Sequence, residues 1–542
     1  MTDYFLGLDC STQSLTAVLI DDNSIFYKQS INFDDDLPHY VTQNGTLIFD
    51  DPKIVHSYPL MWVESLDLLF EKFIQDEIST ESIKIISGSA QQHGTVYLND
   101  KFERVLHNLN PDKPLVKQLE HTFSRKTSPI WMDSSTTIQC NEIREQLGGM
   151  EAIIKITGSN AFERFSGPQI RKFYQDNLEA YNNTSIIHLV SSFMASILLG
   201  KNAPIDHGDG TGMNLMNITT KQWDERALNA TAPNLYQKLP PLFNSNHIIG
   251  KISPYFVMKY GFNPKTLLVA WSGDNPNSLI GVGITEKGKV AISLGTSDTY
   301  FAYMKNLALD LTGEGHVFSA PIGGYMSLIC YKNGSLAREK VKNRFNLNWD
   351  KFSKIIRETP PGNYGKIMLP YFFPEIVPYV SNRKVYRFGF DENDLEGNVR
   401  AIIEAQFLSM KLHSEWIGEK PNEIYATGGA SANIDILQVA ANIFNTPIRR
   451  FEITDSAALG AAFRSAKSYY ELYDSKNNWE NIISNILNLH ESDIIKPYEK
   501  YRGLYDDMLK LYRKYEEFVL RNGEDPKPIR KKFIDKYFSS YI

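Results

Sequence analysis

Residues 4–20 read YFLGLDCSTQSLTAVLI and residues 290–303 read VAISLGTSDTYFAY. Each is an apolar run, a short turn rich in hydroxyls and a second apolar run, the pattern of a β-hairpin. The first turn carries Ser11, Thr12 and Gln13; the second carries Gly295, Thr296, Ser297 and Asp298. Ser11 and Thr296 stand 285 residues apart, far beyond any solenoid repeat and of the order expected for a duplicated domain.

Working outward, strand-like runs (Ile83 to Ile86, Leu267 to Trp271) alternate with helical stretches (Val63 to Phe73, Ile186 to Leu199), which predicts an α/β protein. After the second hairpin come helix-like Val399 to Trp416, strand-like Glu423 to Ala426 and helical Ile434 to Ile443. The Gly-rich stretch 281–288 is the natural cut, giving domains at 1–285 and 286–466, with a helical C-terminal extension at 467–542. Tyrosines 498, 501, 505, 512 and 515 recur at close to helical spacing there and predict an amphipathic helix.

Composition narrows the function. The chain has 542 residues, 42% of them hydrophobic and 22% charged, as in globular proteins. Lys plus Arg number 57 against 63 Asp plus Glu, a net charge of −6 with no long basic run, so a nucleic-acid partner is not expected. Cys10, Cys140 and Cys330 form neither a disulfide framework nor a metal spacing. The first 25 residues do not read as a signal peptide and no run of 18 apolar residues occurs, so a cytoplasmic protein without a membrane partner is expected.

Gly283-Ile-Thr-Glu-Lys-Gly288-Lys289-Val290 imitates a P-loop, but Val290 replaces the metal-binding hydroxyl and the segment leads into a strand. The hairpin turns are better phosphate sites. Ser11, Thr12 and Gln13 can aim amides and hydroxyls at a phosphate, Thr296 and Ser297 repeat the kit, and Asp9 at a strand end can hold magnesium. In Ser272-Gly-Asp274-Asn275-Pro276 a strand delivers Asp274 to a helix start, where it can take a proton from a hydroxyl or merely cap the helix, with Asn275 suited to the cap position. Gln91-Gln92-His93-Gly94 offers several hydrogen-bonding groups suited to a polyhydroxylated ligand. Gly428-Gly429-Ala430-Ser431-Ala432-Asn433 follows a strand and lets a flat ring approach the backbone closely.

The segments FLGLDCSTQSLTAVLIDD, SGSAQQHG, WMDSST, GSNAFERFSGPQI, DGTGMNLM, SGDNPNSLIG, ISLGTSDTY, YKNGSLAREK and YATGGASANIDILQVAANIF occur in the order found in FGGY carbohydrate kinases. The resemblance spans about residues 4 to 466, and QQHG makes it look most like that family's xylulose kinases of eukaryotic type, since glycerol kinases differ there. It implies two actin-like, ribonuclease-H-like domains with an interdomain cleft, with sugar on the first and ATP on the second. By the same resemblance His93, Arg164, Asp274 and Asn275 hold a ketopentose, with Asp274 the general base on its 5-hydroxyl. Gly429, Ala430 and Asn433 meet the adenosine, with Gly428 alongside and Trp349 packed near the nucleotide. The partners implied are the sugar, ATP and Mg2+, for a monomer or homodimer. Two other readings stay open: a kinase of another ketose or polyol such as ribulose or glycerol, and a non-catalytic ATP or sugar sensor on the same scaffold.

Overall fold

The opening hairpin forms where the sequence sets two apolar runs on either side of a hydroxyl-bearing turn. Strands β1 (Tyr4–Cys10) and β2 (Ser14–Ile20) pair antiparallel from Phe5↔Ile20 to Cys10↔Leu15, and β3 (Ile25–Asn32) continues the meander. The computed structural model describes residues 3–450, 454–473, 478–487 and 494–539. Its chain falls into two units. Unit 1 takes Met1–Thr285, Lys305–Met326 and Thr454–Asn488, and unit 2 takes Glu286–Met304, Ser327–Ile453 and Leu489–Ile542.

In unit 1 the meander is joined by β4 (Ile83–Ala90), β5 (Ile248–Lys251), β6 (Leu267–Val269) and β7 (Ser272–Gly273), in the order β5-β6-β4-β1-β2-β3 with β7 also on β4. Strand β1 is buried on both faces, as strands of covered parallel sheets are. Leu6, Leu8 and Cys10 enter a core with Trp62, Leu66, Phe70 and Phe193. Gly7 faces helix Ser456–Leu472, and a Cβ there would collide with the Ala458 carbonyl. The same helix crosses helix Asp274–Gly281 at a pair of glycines: a Cβ on Gly281 would strike the Ser456 carbonyl, and one on Gly460 the Asn277 carbonyl. Arg464, fully buried, donates to Asn277 Oδ1 (3.0 Å) and to the carbonyls of Ala270 (2.5 Å) and Gly88 (3.3 Å), which ties the strand ends to this helix pair.

Unit 2 repeats the plan. Strands β8 (Lys289–Leu294) and β9 (Asp298–Met304) form the second hairpin, and with β10 (Tyr325–Tyr331), β11 (Glu423–Thr427), β12 (Ile448–Arg450) and β13 (Ile494–Ile495) they make up six strands of a seven-stranded sheet, in the order β10-β9-β8-β11-β12-β13. In both units the hairpin's first strand also pairs parallel with a later one, β1 with β4 and β8 with β11, the topology a duplication leaves.

Several details differ from the sequence reading. Ile186 to Leu199 is not one helix: Ile186–Leu189 pairs antiparallel with Thr95–Leu98, and the helix begins at Val190. Residues 187–199 are buried throughout, so the segment shows no one-sided period to separate the two states, and strand pairing decides. Helix Asp274–Gly281 is capped by Gly273, so Asp274 is its first residue and Asn275 is not the cap. Of the tyrosine stripe, Tyr505, Tyr512 and Tyr515 are buried on helix Arg502–Arg521, while Tyr498 and Tyr501 precede it. Cys10 is buried, and burial pushes its thiol well above the ordinary range, so it is a small core residue. No helix among the described residues is long and apolar enough to cross a membrane.

Candidate functional site

Three parallel strands of unit 1 end side by side. The register sets Asp9 of β1 against Ser89 of β4 and Ser89 against Ser272 of β7, then Cys10, Ala90 and Gly273 one step on. Open α/β sheets place ligands at such carboxyl ends. From β7 the chain enters the helix at Asp274. Its Oδ1 accepts from the Asn275 amide (2.8 Å) and side chain (3.0 Å) and more weakly from the Gln92 amide (3.4 Å), leaving Oδ2 for a ligand. Gln92 is itself fixed by Asn275, whose Nδ2 donates to Gln92 Oε1 (2.8 Å).

Burial dominates the electrostatics here. It lifts the Asp274 carboxyl to about 6, against the opposing hydrogen bonds from Asn275 and Gln92. It lifts Asp9 to about 7, eased by the Ser89 hydroxyl and aggravated by the neighbouring carboxylates Asp274 and Asp455. Asp9 Oδ1 is buried without a hydrogen-bond partner among the described residues. A divalent cation fits that atom: it would satisfy the oxygen and neutralise the crowded charge. Among the described residues no group of three His, Cys, Asp or Glu side chains is placed to hold a metal ion, so the fit rests on Asp9.

His93 sits at φ +72° with Nδ1 2.8 Å from the Gly212 carbonyl. A carbonyl only accepts, so Nδ1 carries the proton and Nε2 is left as an acceptor. Burial, then the Arg164 charge, holds this imidazole down to about 3, so it is neutral. Phe165 packs on its ring at 4.4 Å. Arg164 donates through Nη2 to His316 Nε2 (2.8 Å) and lies over Phe162. The sequence reading gave His316 no role; its partner stands 152 residues away and no local signal marks it.

In the first turn, the Ser11 amide (2.9 Å) and hydroxyl (3.0 Å) both close onto the Ser14 carbonyl, so Ser11 shapes the loop. Thr12 Oγ1 accepts from the Trp131 indole (2.9 Å), whose ring stays half exposed, and Gln13 is exposed. Asp9, Ser11, Thr12, Gln13, His93, Arg164, Asp274 and Asn275 thus all belong to unit 1.

The remaining residues belong to unit 2. A cavity of about 810 Å³ is lined by Gly295 and Thr296 of the β8–β9 turn, by Trp349, Ser353 and Arg357, and by Gly429, Ala430 and Asn433. Trp349 opens helix Trp349–Glu358, which Asn348 caps through Lys351 N (2.9 Å), and it is 42% exposed, leaving ring area for a planar ligand. Asn433 caps helix Ile434–Phe444 through Oδ1 and donates from Nδ2 to Ser353 Oγ (2.6 Å), closing one wall. Gly428 and Ser297 are not among the lining residues. Gly428 sits at φ +84°, where a Cβ would stand 2.8 Å from the Leu294 carbonyl oxygen, so it lets the turn pass against β8. Asp298 takes no part: it is buried in a bidentate pair with Arg338 (2.8 and 2.9 Å).

Comparison with known proteins adds to this geometry. Residues 126–281 match the N-terminal domain, and residues 290–469 the C-terminal domain, of the family described as FGGY carbohydrate kinases. The chain is 43% identical over 472 residues to xylulose kinase from Rattus norvegicus, covering 85% of this chain and 87% of that protein. It is 44% identical over 489 residues to xylulose kinase 2 from Arabidopsis thaliana, covering 86% and 87%. The crystal structure of gluconate kinase from Lactobacillus acidophilus superposes with a TM-score of 0.80 at 19% identity, over 96% of this chain and 99% of that one, a likeness of fold.

Proposed function

The chain belongs to the FGGY family of carbohydrate kinases, and from that premise we propose that it transfers the terminal phosphoryl group of ATP to the 5-hydroxyl of D-xylulose, yielding D-xylulose 5-phosphate and ADP. The observation that carries the reading is Asp274: a carboxylate at the end of β7 with one oxygen tied down by Asn275 and Gln92 and the other left for a hydroxyl. The sugar is assigned from the relatives at 43% and 44% identity and not from the fold, which is also that of a gluconate kinase.

Phosphoryl transfer passes through a loose transition state, so the residues act chiefly by positioning and by stabilising charge. Asp274 Oδ2 orients the 5-hydroxyl and takes its proton as the new P–O bond forms. Asn275, neutral His93 through Nε2, and Arg164 steadied by His316 bind the other oxygens of the sugar. The turns at Ser11, Thr12 and Gln13 and at Thr296 and Ser297 serve the phosphates, while Trp349, Gly428, Gly429, Ala430 and Asn433 frame the adenosine. Asp9 would hold Mg2+, which when bound neutralises charge developing on the phosphates. The net charge of −6 leaves attraction for ATP to these local groups. The reading extends to a cytoplasmic enzyme of small-molecule substrates.

ADP release measured across a panel of sugars tests the proposal. Xylulose should stand well above ribulose, gluconate and glycerol; a maximum on any of the others would reassign the substrate.

A further inference from the structure

Behind the Asp274 carboxylate lie two buried polar atoms that no partner among the described residues satisfies. One is Oδ1 of Asp209, a residue 1% exposed whose Oδ2 accepts from Ser191 Oγ at 2.5 Å. The other is Nε2 of Gln92, whose Oε1 already accepts from Asn275 Nδ2 at 2.8 Å. Burial, with Asp206 and Asp274 close by, raises the Asp209 carboxyl well above its ordinary range; the Gln92 side-chain amide stands near enough to ease that charge, yet forms no bond. Space confines it: a Cβ on Gly273 would stand 2.8 Å from Nε2, and one on Gly212 3.4 Å from it. A buried carboxyl oxygen and a buried amide donor left open face a strong drive to meet, since each left unpaired bears its full desolvation cost.

The geometry points to Asp209 as a positioning residue for the transfer: its open oxygen receives Gln92 Nε2, fixes which way round that amide sits, and through Gln92 Oε1 and Asn275 Nδ2 holds the Asp274 carboxylate in register. An amide has two chemically different ends, and only one orientation serves both Asp209, which accepts, and Asn275, which donates. Asp209 thus acts on Asp274 through two intermediates without touching the substrate. The inference rests on Asp274 being the base.

Exchange of donor and acceptor tests it. In Gln92→Glu a carboxylate confronts Asp209, and kcat should fall about 10² to 10³-fold; in Asp209→Asn the amide loses its acceptor, and kcat should fall about tenfold or more. The double variant, Gln92→Glu with Asp209→Asn, rebuilds the chain with one bond reversed. The amide introduced at position 209 donates to the carboxylate introduced at position 92, and Asn275 still donates to that carboxylate. It should recover at least about tenfold over Gln92→Glu, with KM for ATP unchanged. A double variant no faster than the slower single, in enzyme whose melting temperature matches the parent's, overturns the inference. Gln92→Met and Ser191→Ala supply a second reading should Asp209→Asn fail to fold: the first should lower kcat about tenfold or more, the second much less, and equal costs would also overturn it. Asp274→Asn run alongside separates the two failures, because near-parental turnover there removes the base itself.

Discussion

Replacing Asp9 by asparagine keeps the shape and removes the charge, and it should stabilise unit 1 while ending turnover. In the parent, Asp9 is 8% exposed, Oδ1 has no partner among the described residues, and burial with the neighbouring carboxylates lifts the group from 3.8 to about 7. The folded value lies above the unfolded one. Asp9 therefore favours folding fully only below about pH 4, and the advantage is lost as pH rises through about 7. A rise from 3.8 to about 7 corresponds to about 4 kcal/mol, reached only well above neutrality. Part of it is shared with Asp274 and Asp455, so about 1–3 kcal/mol should return at about pH 8, or about 1–4 °C in melting temperature for a unit of this size. Calorimetry without metal or nucleotide should show Asp9→Asn melting above the parent at about pH 8, with the gap narrowing toward about pH 4. A variant less stable than the parent at the higher pH, or a gap indifferent to pH, would refute the reasoning. Gain of stability with loss of activity is the signature of a charge kept for function.

Asp274→Asn should lower kcat by about 10² to 10⁴-fold and leave ATP binding by calorimetry within about twofold, whereas retention of more than about a tenth of turnover would take the base role away. Because the Asp274 carboxyl lies at about 6, kcat in the parent should rise with pH through that value as the carboxylate forms, and the limb should vanish in Asp274→Asn. Gly460→Ala puts a methyl into the carbonyl of Asn277, should cost about 1–3 kcal/mol of stability, and should depress kcat more than KM for ATP because it displaces the helix that begins at Asp274; unchanged kinetics would show that the crossing does not set the site.

The hairpins were legible because two short apolar runs joined by a hydroxyl-rich turn have few other outcomes, and β1–β2 and β8–β9 form where the pattern sets them. Asp274 was legible because a strand running into Gly-Asp-Asn-Pro puts the acid at a strand end, although the helix starts two residues earlier than its capping pattern suggested. What stayed hidden depends on partners distant in sequence. Arg164 meets His316, Thr12 meets Trp131, and Asp209 approaches Gln92 only once the sheet has brought separate loops together. The crossing of Gly281 and Gly460 was likewise invisible, since a small residue in a helix announces close packing only when its neighbour is known. The return of helix Ser456–Leu472 to unit 1 has no local mark either, and only the bare backbone of Gly7 shows where it docks.

The central claim is a phosphoryl group delivered to one particular hydroxyl. Incubation of the enzyme with ATP and D-xylulose carrying ¹³C at C5, followed by phosphorus NMR, reads this directly. The account predicts a sugar phosphate signal split by coupling to the labelled carbon, growing one-for-one with ADP. An unsplit sugar phosphate, or ADP accumulating with no phosphorylated sugar, would contradict it.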